Sequence, residues 1–272
     1  MTVTPMLLFS SLRTFLIASL LALMFFPNVS FAELRILEVG DSIAATDIHR
    51  RRLQQRLQAE GVAHDFVGDN QAIAFGQTDD INHQAFSGQR ITSFLNGRGN
   101  VERGLIEVLP IYEPDVILVL GGYNNLAQER VGEGLTASRQ EYEDLVDFIF
   151  AATSDDDVQV LFSNVTDFDP NGLFGHQRAN VQEWNAWLAS DIALRQSQGQ
   201  NISIVDNFSN VSLGDLNSDG LHLSNSGQNI VGDNFFDALV SSGAVPAAVP
   251  EPSALSLLCG LAMLASFRRR RA

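Results

Sequence analysis

The chain has 272 residues, a formal net charge of −15 at pH 7 and a 45% share of hydrophobic residues. All 17 basic residues are arginines. So acidic a surface disfavours nucleic acid, anionic polymers and lipid head groups as partners, and it suits a neutral substrate or simple solubility. The single cysteine, Cys259, lies near the C-terminus, so the central region has no disulfide and no thiolate metal site.

Residues 1–32 have the pattern of a secretory signal peptide. Arg13 supplies a positive charge, residues 15–26 form an apolar core, and residues 30–32 have the small-x-small pattern of a cleavage site. This pattern predicts export of the chain and cleavage after Ala32. The alternative is an N-terminal membrane anchor that is not cleaved.

The C-terminal end is also patterned. Residues 243–252 read as a linker, and the sequence Val-Pro-Glu-Pro at 249–252 precedes an apolar stretch at 253–267 and four arginines. The apolar stretch is shorter than the ~20 residues that span a bilayer comfortably. The region 249–272 resembles the PEP-CTERM sorting signal of bacterial exosortase substrates. The resemblance implies an exosortase-like peptidase as partner, transient membrane anchoring, and a final place at the cell surface or in the matrix; a plain C-terminal anchor is the alternative.

Residues 33–242 have the length of one domain, and strand and helix patterns alternate along them. The predicted strands cover 34–39, 64–67, 115–120, 158–162 and 202–205. The predicted helices cover 48–59, 101–109 (closed by Pro110), 136–152, 180–198 and 226–240, and 69–80 is expected to be a loop. Short apolar strands separated by helices predict an α/β fold, with a central parallel sheet of about five strands covered on both faces.

Two short segments contain the residues for nucleophilic ester hydrolysis. Ser42 follows the first strand directly, and Asp219 lies three residues before His222 near the end of the domain. A serine hydroxyl becomes a good nucleophile when a histidine takes its proton and an acid orients that histidine. Ligands of parallel sheets bind at the carboxyl ends of the strands, where both Ser42 and residues 121–125 are expected.

Four sequence blocks occur in order along the domain. They are Gly-Asp-Ser-Ile at 40–43, Ser-Gly-Gln-Arg at 87–90, Gly-Tyr-Asn-Asn at 122–125 and Asp-Gly-Leu-His at 219–222. With these blocks the chain resembles the SGNH, or GDSL-like, hydrolase superfamily. The resemblance implies a three-layer α/β/α sandwich of the flavodoxin-like kind and serine esterase chemistry.

The resemblance also implies roles for individual residues. Ser42 would be the nucleophile, His222 its general base and Asp219 the residue that orients His222. The oxyanion hole would use the backbone N–H groups of Ser42 and Gly88 and the side-chain amide of Asn124. Arg90 and Tyr123 are predicted to contact a polar substrate.

The chain departs from the family pattern at Asn125, where an aspartate is usual, and this departure puts the hydrogen bonding of that loop in doubt. Ile43 in place of leucine is a mild change. The predicted function is an exported esterase acting on short acyl esters, such as acetyl groups on a polysaccharide. The alternatives are a catalytically idle glycan-binding protein of the same fold and an acyltransferase using the same triad.

Other sites are less well supported by the sequence. Asp215, Asn217 and Asp219 match the first half of an EF-hand calcium loop, but Ser226 occupies the position of the required glutamate. No metal is therefore predicted. No phosphate loop and no nicotinamide or flavin fingerprint is present, so no cofactor is predicted either. The remaining histidines, which lack a matching acid or motif, are expected to be ordinary surface residues: His49, His64, His83 and His176.

Overall fold

The structure, a computed structural model, describes residues 33–71, 82–99, 102–129, 131, 135–153 and 158–245. The predicted signal peptide, most of the predicted linker and the predicted C-terminal tail, with Cys259, lie outside these residues. Within the described ranges, none of the helices has the length and apolar character that a membrane crossing requires.

Strands and helices alternate along the domain. The strands are β1 (Leu34–Gly40), β2 (His64–Val67), β3 (Asn70–Gln71), β4 (Asn82–Ala85), β5 (Val116–Leu120), β6 (Gln159–Ser163) and β7 (Ile202–Val205). The helices are α1 (Ile48–Ala59), α2 (Ile91–Asn96), α3 (Leu105–Tyr112), α4 (Tyr123–Gln128), α5 (Thr136–Ala152), α6 (Arg178–Ser197), α7 (Asn207–Asn210) and α8 (Asn225–Ser241).

One sheet runs through the centre of the domain, in the strand order β3-β4-β1-β5-β6-β7, and β2 also pairs with β1. β2 lies beside the first half of β1 and β4 beside its end, and all pairings except β3 with β4 are parallel. The strand order reverses between β1 and β5, which makes this gap the switch point where ligands bind in open α/β sheets.

Helices flank the sheet as two groups. α1 packs against α8, while α5 contacts α2, α3 and, through ring contacts of Tyr142 with Trp184, α6. Every residue of β5 and β6 is buried, as expected of parallel strands covered on both faces. The α/β fold, the five parallel strands and their helical layers are therefore confirmed.

Three parts of the predicted element pattern differ from the structure. The loop predicted at 69–80 contains the short strand β3, whose backbone pairs antiparallel with β4, a strand at 82–85 for which no element was predicted. Pro110 lies inside α3, which does not close at the proline but continues to Tyr112. Glu113, which follows the last helical residue and precedes Pro114, is in the left-handed conformation. Val245, placed in the linker, is 1% exposed and belongs to the core.

Two of the histidines expected at the surface are buried instead, His49 and His83, each 1% exposed. His49 Nε2 lies 2.7 Å from Glu38 Oε1, and Arg50 donates to Glu38 Oε2 at 2.6 Å. Glu38 is buried between Leu37 and Val39 in β1, and a carboxylate at such a position requires charged or polar partners. That requirement was the sequence signal for this cluster, and it was missed.

Candidate active site

Ser42 lies in the turn that directly follows β1, beside the end of β5. Gly40 closes the strand so near to β5 that a Cβ atom on it would come within 2.1 Å of the carbonyl oxygen of Leu120. Only glycine permits this approach. The turn therefore places Ser42 over the carboxyl ends of the two central strands, at the switch point of the sheet.

Asp41 ties this turn to the neighbouring loop. Its fully buried carboxylate accepts hydrogen bonds from the backbone N–H of Ile43 at 3.0 Å and of Tyr123 at 3.2 Å. Burial raises the pKa of Asp41 to about 7, although these N–H groups favour the charged form. No structural or catalytic role was predicted for Asp41 from the sequence. The available signal was an aspartate in a turn, where its short side chain commonly accepts backbone hydrogen bonds.

The loop of Asp219 and His222 is held by its own backbone. Asp219 Oδ1 accepts from the backbone N–H of Leu221 at 3.0 Å and of His222 at 2.9 Å. Gly220 has φ +71°, and its carbonyl accepts from Asp169 N–H in the loop after β6 at 2.9 Å. The tight turn brings the two side chains of the motif to the same side.

A chain of two hydrogen bonds joins the predicted serine, histidine and aspartate. Ser42 Oγ lies 2.9 Å from His222 Nε2, and His222 Nδ1 lies 2.7 Å from Asp219 Oδ2. A carboxylate only accepts, so Nδ1 bears a proton and the neutral ring offers Nε2 as the acceptor for the serine O–H. His222 and Asp219 keep 37% and 50% of their side-chain surface exposed, so the group is open to a ligand from solution.

The charge state of Asp219 suits its position. Partial burial on its own would raise the pKa of Asp219, but the backbone N–H groups of Leu221 and His222 and the His222 ring hold it below its usual value. Asp219 is thus a carboxylate at neutral pH, and it can accept the hydrogen bond from His222 Nδ1–H.

Gly88 and Asn124 lie in the two loops beside Ser42. Gly88 follows β4, which is held to β1 by the hydrogen bond from Phe86 N–H to Gly40 O at 3.1 Å. The side-chain amide of Asn124 donates to Gln89 O at 2.9 Å, and within the part of the chain that the structure describes it donates no second hydrogen bond. Among the described residues, the backbone N–H groups of Ser42 and Gly88 also donate no hydrogen bond.

Tyr123 is not placed as predicted. Its side chain is 1% exposed, and its hydroxyl contacts Thr166 Oγ1 at 3.2 Å and accepts from Thr166 N–H at 3.3 Å. Burial raises the pKa of Tyr123 to about 12. The side chain therefore joins α4 to the loop after β6 inside the core, and it offers no surface to a substrate.

Arg90 also has protein partners in place of the predicted substrate contact. Its guanidinium donates to Glu141 at 2.9 Å and to Glu129 at 3.4 Å, and 26% of its side chain is exposed. An arginine that already pairs with two carboxylates is a poor anchor for a neutral substrate. Through these ion pairs Arg90 instead links the Gly88 loop to the residue that follows α4 and to α5.

The departure at Asn125 leaves the loop's hydrogen bonds in place. Asn125 is 0% exposed, and its Oδ1 accepts from Ile91 N–H at 3.0 Å. Its Nδ2 donates to Ser138 Oγ at 3.1 Å and to Glu141 Oε2 at 2.8 Å. Protein groups satisfy both the oxygen and the nitrogen of this amide. The hydrogen bonding of the loop, which the sequence put in doubt, is therefore complete with asparagine at this position.

The acidic residues that match the first half of a calcium loop form hydrogen bonds with protein groups. Asp215 accepts from the hydroxyl groups of Ser212 at 2.6 Å and of Ser226 at 2.8 Å, and Asp219 binds His222. Within the ranges that the structure describes, no three acidic, histidine or cysteine side chains are grouped as a metal site.

Similar folds occur among solved structures. An acetyl esterase mutant with an acetate ion superposes with a TM-score of 0.64 at 16% identity, covering 76% of this chain and 97% of that one. A carbohydrate esterase family 3 protein from Talaromyces cellulolyticus gives 0.61 at 19% identity, covering 78% and 99%. These similarities concern the fold. No curated protein matches the chain by sequence.

The family is shown by the sequence itself. The model of the GDSL-like Lipase/Acylhydrolase family matches residues 39–230, which is more than half of the chain and includes all four blocks. An ester-hydrolysing family therefore accounts for the fold, the order of the blocks and the serine at the switch point. The chain belongs to the GDSL-like lipase/acylhydrolase family.

Proposed function

We propose that this protein is an exported serine esterase in which Ser42, His222 and Asp219 form the catalytic triad. The observation that carries the proposal is the unbroken hydrogen-bond chain from Ser42 Oγ through His222 to Asp219, at 2.9 Å and 2.7 Å. The family contributes ester hydrolysis as the reaction class. The exposure of His222 and Asp219 supports access of a substrate to this chain.

The reaction has two steps. His222 Nε2 takes the proton of Ser42 as Oγ attacks the ester carbonyl, and the imidazolium then gives this proton to the departing alcohol. A water molecule that loses its proton to His222 attacks the acyl-Ser42 ester, which releases the acid and restores the serine. Asp219 keeps Nδ1 protonated and stabilises the imidazolium in both steps.

The oxyanion hole comprises the backbone N–H groups of Ser42 and Gly88 and the side-chain amide of Asn124. Its support is the absence of a partner for those two N–H groups within the described residues, and the second amide hydrogen of Asn124. Donors that are fixed before the reaction stabilise the tetrahedral intermediate, and the loss of one typically costs about 100- to 1000-fold in rate.

The proposed substrate is a short acyl ester, with an acetyl group on a polysaccharide as the first candidate. The similar folds of an acetyl esterase and of a carbohydrate esterase support this choice. The acidic chain, with its net charge of −15, suits a neutral ester better than an anionic one. The signal and sorting patterns in the sequence support a cell-surface or matrix location reached through an exosortase-like peptidase.

Hydrolysis of p-nitrophenyl acetate tests the reaction class. The experiment compares the wild-type protein with Ser42→Ala and with Ser190→Ala, a control that removes an exposed hydroxyl on α6, all confirmed folded. Turnover by the wild type and Ser190→Ala, with none above background for Ser42→Ala, is expected. Equal turnover by all three proteins, or none by the folded wild type, would contradict the proposal.

The substrate class has a separate test. Acetate release from acetylated xylan is compared with acid release from p-nitrophenyl esters of two, four, eight and twelve carbons. The proposal expects acetate release and a steep fall in turnover with acyl length. Activity confined to the long acyl chains would refute it, and an added alcohol that captures the acyl group would indicate transfer in place of hydrolysis.

A further inference from the structure

Two neighbouring asparagines hold the C-terminal part of the loop that contains Gly88, just before α2 begins. Asn124 donates to Gln89 O at 2.9 Å, and Asn125 accepts from Ile91 N–H at 3.0 Å. Both asparagines belong to the first turn of α4, directly after β5. The position of the Gly88 loop relative to Asn124 is thus fixed by one turn of helix.

A carboxylate from α5 completes this attachment. Glu141 Oε2 accepts from Asn125 Nδ2 at 2.8 Å, and Glu141 Oε1 accepts from the Arg90 guanidinium at 2.9 Å. Oε2 also accepts from Thr92 N–H at 3.1 Å. Glu141 therefore binds the loop at residues 90 and 92 and binds Asn125 at the same time.

The partners of Asn125 require one acceptor and one donor from its side chain. Ile91 N–H faces Oδ1, and the carboxylate of Glu141 faces Nδ2. An aspartate at 125 would satisfy Ile91 but would set two carboxylates within hydrogen-bond distance of each other at a fully buried position. The guanidinium of Arg90 already pairs with two carboxylates, Glu129 and Glu141, and among the described residues no contact brings it to residue 125.

We propose that Asn125 is a positioning residue for the oxyanion hole, and that its amide is required because Glu141 occupies the facing position. Asn125 does not touch the reacting atoms. It acts by holding Ile91, and through Glu141 also Arg90, so that Gly88 N–H and the Asn124 amide stay directed at the same oxygen. This inference rests on the proposed esterase function.

The test is a rescue experiment with p-nitrophenyl acetate. Asn125→Asp is expected to lower kcat by about 10- to 100-fold with little change in KM, because misplaced donors weaken the transition state more than substrate binding. Adding Glu141→Gln restores one amide and one carboxylate to the pair, in the reverse order, and it costs only the hydrogen bond from Thr92 N–H, which then faces the amide nitrogen. The double variant is expected to be at least about tenfold more active than Asn125→Asp.

The matched control is Asn125→Asp combined with Glu143→Gln. Glu143 lies two residues along α5 from Glu141, so it is on a different side of the helix while the change in net charge is the same. This control is expected to stay as inactive as Asn125→Asp. Equal activities of the two double variants, or an Asn125→Asp variant as active as the wild type, would overturn the proposal.

Thermal unfolding of the same proteins separates this inference from the proposed function. Asn125→Asp is expected to lower Tm, and adding Glu141→Gln, but not Glu143→Gln, is expected to raise it again. This result would support the pairing of residues 125 and 141 even where no variant hydrolyses an ester. A folded wild-type protein without turnover would then refute the proposed esterase function, and with it the role of Asn125 at the oxyanion hole. If Asn125→Asp does not fold, a folded double variant less active than Glu141→Gln alone would overturn the proposal.

Discussion

Two histidine–carboxylate pairs of the same length lie in very different surroundings. His222 Nδ1 and Asp219 Oδ2 are 2.7 Å apart, with side chains 37% and 50% exposed. His49 Nε2 and Glu38 Oε1 are also 2.7 Å apart, with side chains 1% and 0% exposed. The distance alone therefore does not distinguish the pair proposed to be catalytic from a buried structural pair.

The two pairs differ in the further residues that each pair contacts and in their access to solvent. His222 turns its other nitrogen to Ser42, which can give up a proton to it. His49 turns its other nitrogen to Gln228 of α8, and Glu38 also binds Arg50. Burial on its own would raise the pKa of Glu38, but His49 and Arg50 lower it to about 2. This pair links β1, α1 and α8, and its side chains are closed to solvent.

The largest expected effect separates the two pairs by activity. His222→Ala is expected to lower kcat for p-nitrophenyl acetate by about 10⁴- to 10⁶-fold, because Ser42 then lacks its base. The free energy of unfolding should change little, since His222 is partly exposed. Steady-state kinetics and urea unfolding measure the two quantities. A variant that keeps more than about a tenth of the wild-type kcat would contradict the assignment.

The buried pair is expected to show the opposite behaviour. Glu38→Gln removes the carboxylate and leaves Arg50 charged, with two of its nitrogens, Nε and Nη2, already lacking a partner in the described residues. The loss of one partner from a buried ion pair costs about 3–5 kcal/mol of unfolding free energy. Urea unfolding measures this cost. The kcat of the folded fraction should stay close to that of the wild type, and a selective loss of kcat would show that the buried pair takes part in the chemistry.

The third effect is a pH dependence of stability at His83. Burial, and the nearby charge of Arg50, lower the pKa of His83 to about 3 from its ordinary 6.5. A folded-state pKa below the unfolded one means that the unfolded chain binds more protons between these values, so stability falls as pH decreases from 6.5 towards 3. Relative to His83→Gln, the wild type should lose up to about 1.4 kcal/mol per pH unit in this window. The free energy of unfolding is measured against pH for both proteins, and an equal dependence on pH would contradict the prediction.

The sequence was sufficient for the parts of the molecule with a strong local pattern. The apolar runs at 115–120 and 158–162 are typical of strands buried on both faces, and β5 and β6 lie there. Serine after a strand, and an acid three residues before a histidine, were sufficient to choose Ser42, Asp219 and His222, which the fold brings within hydrogen-bond distance.

Contacts between distant segments could not be predicted in this way. Arg90 and Tyr123 were expected at the substrate, but Arg90 pairs with Glu141 from α5, and Tyr123 bonds to Thr166 beyond β6. These partners lie about 40 to 50 residues away along the chain, and local patterns do not reveal which distant groups will meet. His49 was misplaced for a different reason, since its partner Glu38 lies only 11 residues away and the position of Glu38 in a buried strand was a signal that was missed.

Covalent labelling of Ser42 by a fluorophosphonate tests the central claim most directly. The reagent phosphonylates an activated serine with loss of fluoride, and peptide mass spectrometry then identifies the labelled residue. One label is expected, on Ser42, and it should form much more slowly in His222→Ala and at an unchanged rate in His176→Gln, which changes an exposed histidine. A folded wild-type protein that remains unlabelled, or one labelled at a different serine, would contradict this claim.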